Sequence, residues 1–117
     1  MSRVFFITDE TRFDTTPAEE YGERMFVYDR TSYCPWSDPD KLAREALRFL
    51  SENRFDPEYD HIALTGPATP LSVFTAVVLA AYETINVLIF NARAEKYRPR
   101  TLNARLPSGE VPGVPQG

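Results

Sequence analysis

One block of this chain restricts its fold more than any other. From Asp60 to Leu102 it reads DHIALTG, PATPLSVFTAVVLAAYE, TINVLIFN and ARAEKYRPRTL. Ile62 to Thr65 is a short apolar run, broken by Gly66-Pro67. Thr69 can cap a helix and Pro70 can start one, and no charged residue follows until after Tyr82. Ile85 to Phe90 is apolar throughout, as in a strand covered on both faces. Strand, crossover helix and strand make a right-handed parallel unit. A 12-residue surface helix would carry charge on one side. This one should be buried on most sides, by the sheet plus a neighbouring helix or another subunit.

The remaining elements fit the same architecture. Val4 to Thr8 reads as a buried strand. Thr16-Pro17-Ala18-Glu19 is a capping-box pattern with Pro at the first helical position, giving a turn or two of helix over Pro17 to Tyr21 that Gly22 stops. Met25 to Tyr28 is the second strand. Ser37 or Asp38 caps a helix over about residues 38–53, with Leu42, Ala43, Ala46, Leu47 and Leu50 as its apolar stripe. Tyr97 to Leu102 alternates in period two, with Pro99 tolerated because the strand lies at an edge. The order β-α-β-α-β-α-β-β predicts an α/β fold: a single three-layer domain over residues 1–105. Its sheet is mostly parallel, with four to five strands and an antiparallel edge hairpin. Residues 106–117, rich in Pro and Gly, read as an extended or disordered tail.

The chain carries a net charge of −4, unevenly spread. Residues 1–92 sum to −7, residues 93–105 to +4 and the tail to −1. An acidic body is a poor general nucleic-acid binder. The single cysteine, Cys34, rules out an intrachain disulfide and suits a reducing compartment. The longest apolar stretch, Val73 to Tyr82, is far short of the roughly 20 residues a membrane span needs. These features predict a soluble cytoplasmic protein that makes no membrane contact.

Four groups of residues are candidates for function. The turn Thr65, Gly66, Thr69 leaves a strand and opens a helix, where α/β sheets bind ligands and helix N-termini favour anions. It has one glycine and two prolines, so it is neither a Walker loop nor a dinucleotide fingerprint. Asp9 and Asp29 follow the first two strands and would share one sheet edge, where paired carboxylates can hold Mg²⁺ for phosphoryl chemistry. Asp after a strand is also ordinary turn chemistry. The hairpin residues Arg93, Lys96, Tyr97, Arg98 and Arg100 can bind phosphate or a partner, with Tyr97 placed to stack a base. Edge-strand charge also blocks sheet-to-sheet aggregation. Tyr33 and Trp36 lie in one loop and suit a protein contact.

With one His and one Cys, a zinc site of the usual composition is excluded, and no nucleophile elbow accompanies His61. No pattern calls for a cofactor. The chain therefore reads as a small non-catalytic binding protein that contacts an unknown protein or itself. Nucleic-acid or nucleotide binding through the hairpin and the Gly66 turn is the first alternative, and a Mg²⁺-dependent phosphoesterase the second.

Three segments carry a resemblance: Pro17-Ala18-Glu19-Glu20-Tyr21-Gly22, Tyr59 to Ala68, and Val87-Leu88-Ile89-Phe90-Asn91 followed by Tyr97. Together they resemble small uncharacterised α/β proteins encoded in bacteriophage genomes. In that pattern an acidic residue often follows the glycine and a Trp-Asp pair ends the fourth strand. Here Pro67 follows Gly66, and Phe90-Asn91 ends the strand. The resemblance implies a phage or prophage origin and an accessory role. It transfers no catalytic residue.

Overall fold

Strand pairing in the computed structural model runs β2-β1-β3-β4-β5, and the structure describes residues 2–8, 14–28 and 38–104. The strands are β1 (Arg3–Phe6), β2 (Glu23–Phe26), β3 (His61–Ala63), β4 (Thr84–Asn91) and β5 (Lys96–Asn103). The helices are α1 (Pro39–Glu52) and α2 (Ala68–Tyr82), with a 3-10 turn over Thr16–Glu20. The first four strands are parallel and β5 is antiparallel to β4. This is the expected α/β class.

Handedness explains which face each connection covers. The chain steps one way from β1 to β2, then returns past β1 to β3 and continues to β4. Right-handed crossovers running in opposite directions must lie on opposite faces. Accordingly, Phe5, Ile7, Ile62, Ile85 and Val87 pack with Leu42, Ala46 and Leu50 of α1 and with Phe74 and Val78 of α2. Val4, Phe6, Ala63 and Leu88 face the other way and pack with Ala18 of the 3-10 turn and with Tyr97. That second covering layer is thin. Ala63 presents only a methyl group, and the Tyr97 ring reaches across to Phe6 at 6.0 Å.

Local chemistry accounts for the element ends. The Asp38 carboxylate accepts the Lys41 N–H at 3.1 Å, capping α1, a contact worth about 1 kcal/mol. Tyr28 anchors the same helix by donating its hydroxyl to the Leu42 carbonyl at 2.6 Å. Gly22, at φ 152°, is required by close approach, since a Cβ there would collide with the Ser2 carbonyl group. Arg3 donates its backbone N–H and its guanidinium to the buried Asp60 carboxylate, each at 3.0 Å. Asp60 also accepts the Asp56 N–H, tying β1 to the turn before β3.

Four local expectations are corrected. The capping box at Thr16 does not form; the Asp14 carboxylate accepts the Thr16 N–H, and the segment is 3-10. So few residues lie between Pro17 and Gly22 that the tighter i→i+3 turn suits them. Thr69 does not cap α2: the helix already begins at Ala68, with Pro67 at the capping position and no side-chain cap. Leu47 is not part of the α1 stripe and is 54% exposed, because it lies one 100° step beyond Ala46. Finally, only Pro70, Phe74 and Val78 of α2 are fully buried, although α1 packs beside it.

Candidate functional site

The Gly66 turn divides its candidate residues. Thr65 is buried, whereas Thr69 is exposed on the first turn of α2. Gly66 needs its glycine for its φ of 122° rather than for space, since an added Cβ would sit at an ordinary 3.6 Å from the Ile7 side chain. Pro67 and Pro70 have no N–H, and the Leu71 N–H is already bonded to the Pro67 carbonyl. The first turn therefore offers an anion few donors.

The structure instead joins two residues that the sequence placed in separate candidates. Tyr97 is 3% exposed and points to the 3-10 side of the sheet, against Phe6 and Phe90. It is not available to stack a base. Burial raises its pKa first of all; the Thr65 hydroxyl close by and Arg24 oppose the rise, and Asp14 adds to it. Despite that proximity, neither hydroxyl makes a well-formed hydrogen bond.

The basic edge survives without Tyr97. Ala104 N–H bonds to the Glu83 carbonyl, so even-numbered residues of β5 face β4 and odd-numbered ones face outward with their backbone groups. Pro99 therefore has no outward N–H to offer. The outward Tyr97 carbonyl accepts the Tyr21 hydroxyl at 3.1 Å. Two positions of the open edge are thus blocked without any charge. Lys96, Arg98 and Arg100 alternate with Tyr97 and lie on the helix side of the strand, with Arg93 in the preceding turn. Among the described residues none of these four has a carboxylate partner, whereas Arg3, Arg24 and Arg48 do.

Beside that edge lies a surface that sequence reasoning missed. Ile85 and Val87 are fully buried beneath the helices, but Ile89, on the same side of β4, is 45% exposed. It faces Arg98 across the ladder. The helices stop short of this part of the sheet. Over α2 itself, Ser72, Ala76 and Ala80 are exposed and no residue is charged. Glu83 follows the helix at φ 64°, a conformation that favours glycine. Its charge lies at the negative end of the helix dipole, where a cation would be favoured. No periodicity in the sequence signals either feature.

A groove of about 750 Å³ runs along β2 and the 3-10 turn, lined by Glu19, Glu20, Tyr21, Glu23 and Phe26 among others, with no residue of the Gly66 turn in its lining. Asp9, Asp29, Tyr33 and Trp36 lie outside the described residues. Among the described residues no cluster of metal-ligating side chains occurs, and no helix is long and apolar enough to cross a membrane.

A family model described as phage Pam3 gp32-like protein matches residues 3–104. The chain belongs to this family. The match runs from the first residue of β1 to just beyond β5, so the whole sheet, with α2 and the basic edge, lies within it. It agrees with the resemblance to phage-encoded α/β proteins drawn from the three segments. Comparison with curated proteins and with solved structures found no significant match.

Proposed function

We propose that this phage-type protein is a small, non-catalytic accessory protein that acts by binding another protein chain. Its docking surface is the outer face of α2 with the adjoining open face of β4 and β5. It works in the host cytoplasm, as a single α/β domain. The observation that carries this reading is α2: fifteen residues without a charge, of which three are fully buried. Helices that are apolar on every side are normally covered. Exposed Ile89, together with Arg98 and Arg100, which have no carboxylate partner among the described residues, extends the same face, and apolar surface edged by arginine is typical of protein interfaces.

The test is to place charge on α2 without touching the core, as in Ser72→Glu combined with Ala76→Arg. Tagged wild type and variant are compared for association, with themselves and with proteins of infected cells, and for melting temperature. The variant should lose association while melting within about 3 °C of wild type, since exposed helix substitutions cost little. Unchanged association would rule the surface out.

The four unpaired cations favour a second reading, local nucleic-acid binding. Four phosphate contacts would give a salt slope of about −3.6 on duplex DNA. Arg98→Ala with Arg100→Ala should reduce it by about 2. Absence of binding at low salt removes this reading.

A further inference from the structure

We infer that the partner of the α2 face is a second copy of this chain, docked about a two-fold axis with the two α2 helices antiparallel. The inference rests on the docking reading above and names its occupant.

The α2 helix begins where β3 ends and finishes where β4 begins, so it runs antiparallel to both. Lys96 and Arg98 stand opposite Asn91 and Ile89, at the end of the sheet where α2 starts. The positive pole of the helix therefore lies at the same end of the sheet as two cations and has no acidic residue in its first turn to offset it. At the other end, the negative pole is followed by Glu83, exposed and without an ion-pair partner among the described residues, in a backbone conformation that glycine would adopt more readily. Glu83 carries the sign that the C-terminal end of a helix disfavours, and the surplus cations stand at the opposite end of the sheet.

An antiparallel second copy brings the two surpluses together. Glu83 of one copy comes to the end of the other that holds Lys96 and Arg98, and a two-fold axis makes each such contact twice. The helix between them carries no charge, so two copies meet without like-charge repulsion along its length. Each copy's α2 also has room beside its partner's Ile89, which the protein's own helices leave open. Direct edge-to-edge pairing through β5 is a poorer route, since Pro99 and the Tyr21–Tyr97 contact block it. A parallel arrangement would set Glu83 against Glu83 and Arg98 against Arg98.

Sedimentation velocity over roughly 1–200 µM reads the outcome, a range that spans micromolar dissociation constants. Wild type should shift from monomer to dimer. Arg98→Glu and Glu83→Lys should each weaken the dimer at least about tenfold, a change of about 1.4 kcal/mol. The combined variant R98E/E83K should recover most of the loss, because the pair is re-formed with its signs exchanged. Both sites are exposed, and thermal melts of each variant at low concentration establish that the fold is intact. A wild type that remains monomeric to the highest concentration overturns the inference. So does a dimer in which the double variant adds the two losses instead of cancelling them. If the monomer still captures another phage or host protein, and the Ser72→Glu with Ala76→Arg variant does not, self-association falls and the docking reading stands. If neither protein associates with anything, both fall.

Discussion

Tyr21 donates its hydroxyl to the backbone carbonyl of Tyr97, 76 positions away, at 3.1 Å. The contact links the 3-10 turn to the far edge strand and occupies an acceptor that an incoming strand would otherwise use. Tyr21→Phe should cost about 1 kcal/mol in urea denaturation. Combined with Pro99→Val it should raise the rate of aggregation, followed by light scattering. An edge that stays soluble in the double variant would show that the arginines alone protect it.

Asp60 is the most demanding charge in the fold. It is 1% exposed, and it accepts from Arg3 and from the Asp56 backbone. Asp60→Ala leaves those donors without an acceptor and should cost about 3 kcal/mol. The midpoint of urea unfolding reports the loss. A cost under about 1 kcal/mol would mean that water replaces the carboxylate at no penalty.

His61 gives stability a pH dependence of known sign. Burial lowers its pKa below 6.5, with Asp60 opposing the shift, and its Nδ1 has no partner among the described residues. The unfolded chain takes up the proton first as pH falls. The His61 contribution is therefore intact above about pH 6.5 and is lost progressively below it, until the folded-state value is passed. Melting temperatures of wild type and His61→Gln, compared from pH 7.5 to 5, should diverge only in the acidic half. Parallel curves would count against burial as the cause.

Thr65 and Tyr97 present two buried hydroxyls without hydrogen-bond partners among the described residues. Exchanging both for groups of similar shape, Thr65→Val with Tyr97→Phe, should be neutral or stabilising by up to about 1 kcal/mol. A loss above about 1 kcal/mol would indicate an ordered water between them, to be sought as a bridging density in a crystal structure.

Most elements were legible because their signals are local. The alternation of Tyr97 to Leu102 located β5, and Asp38-Pro39 before a 3.6-residue stripe located the start of α1. The Gly66-Pro67 break separated β3 from α2, although the strand itself already ends at Ala63 rather than Thr65. Errors came where a local signal competed with something distant. Thr16 looked like a cap, but Asp14 supplies the oxygen. Tyr97 looked like a surface ring among arginines, but the space over Ala63 takes it inward.

The candidate site was less legible than the fold. Charge counting found the basic edge, and the absence of charge on α2 announced a helix in need of cover. Neither could show that Ile89 stays open while Ile85 and Val87 are sealed, since all three are equally apolar. What the sequence determined by itself was the order of strands and helices, because periodicity and Pro/Gly punctuation act over a few residues. Only the tertiary structure decided which face each alternation buries, that Thr65 meets Tyr97, and that Glu83 and Arg98 stand at opposite ends of one uncharged helix. Those relations depend on strand order and crossover hand, which bring together residues that the chain keeps far apart.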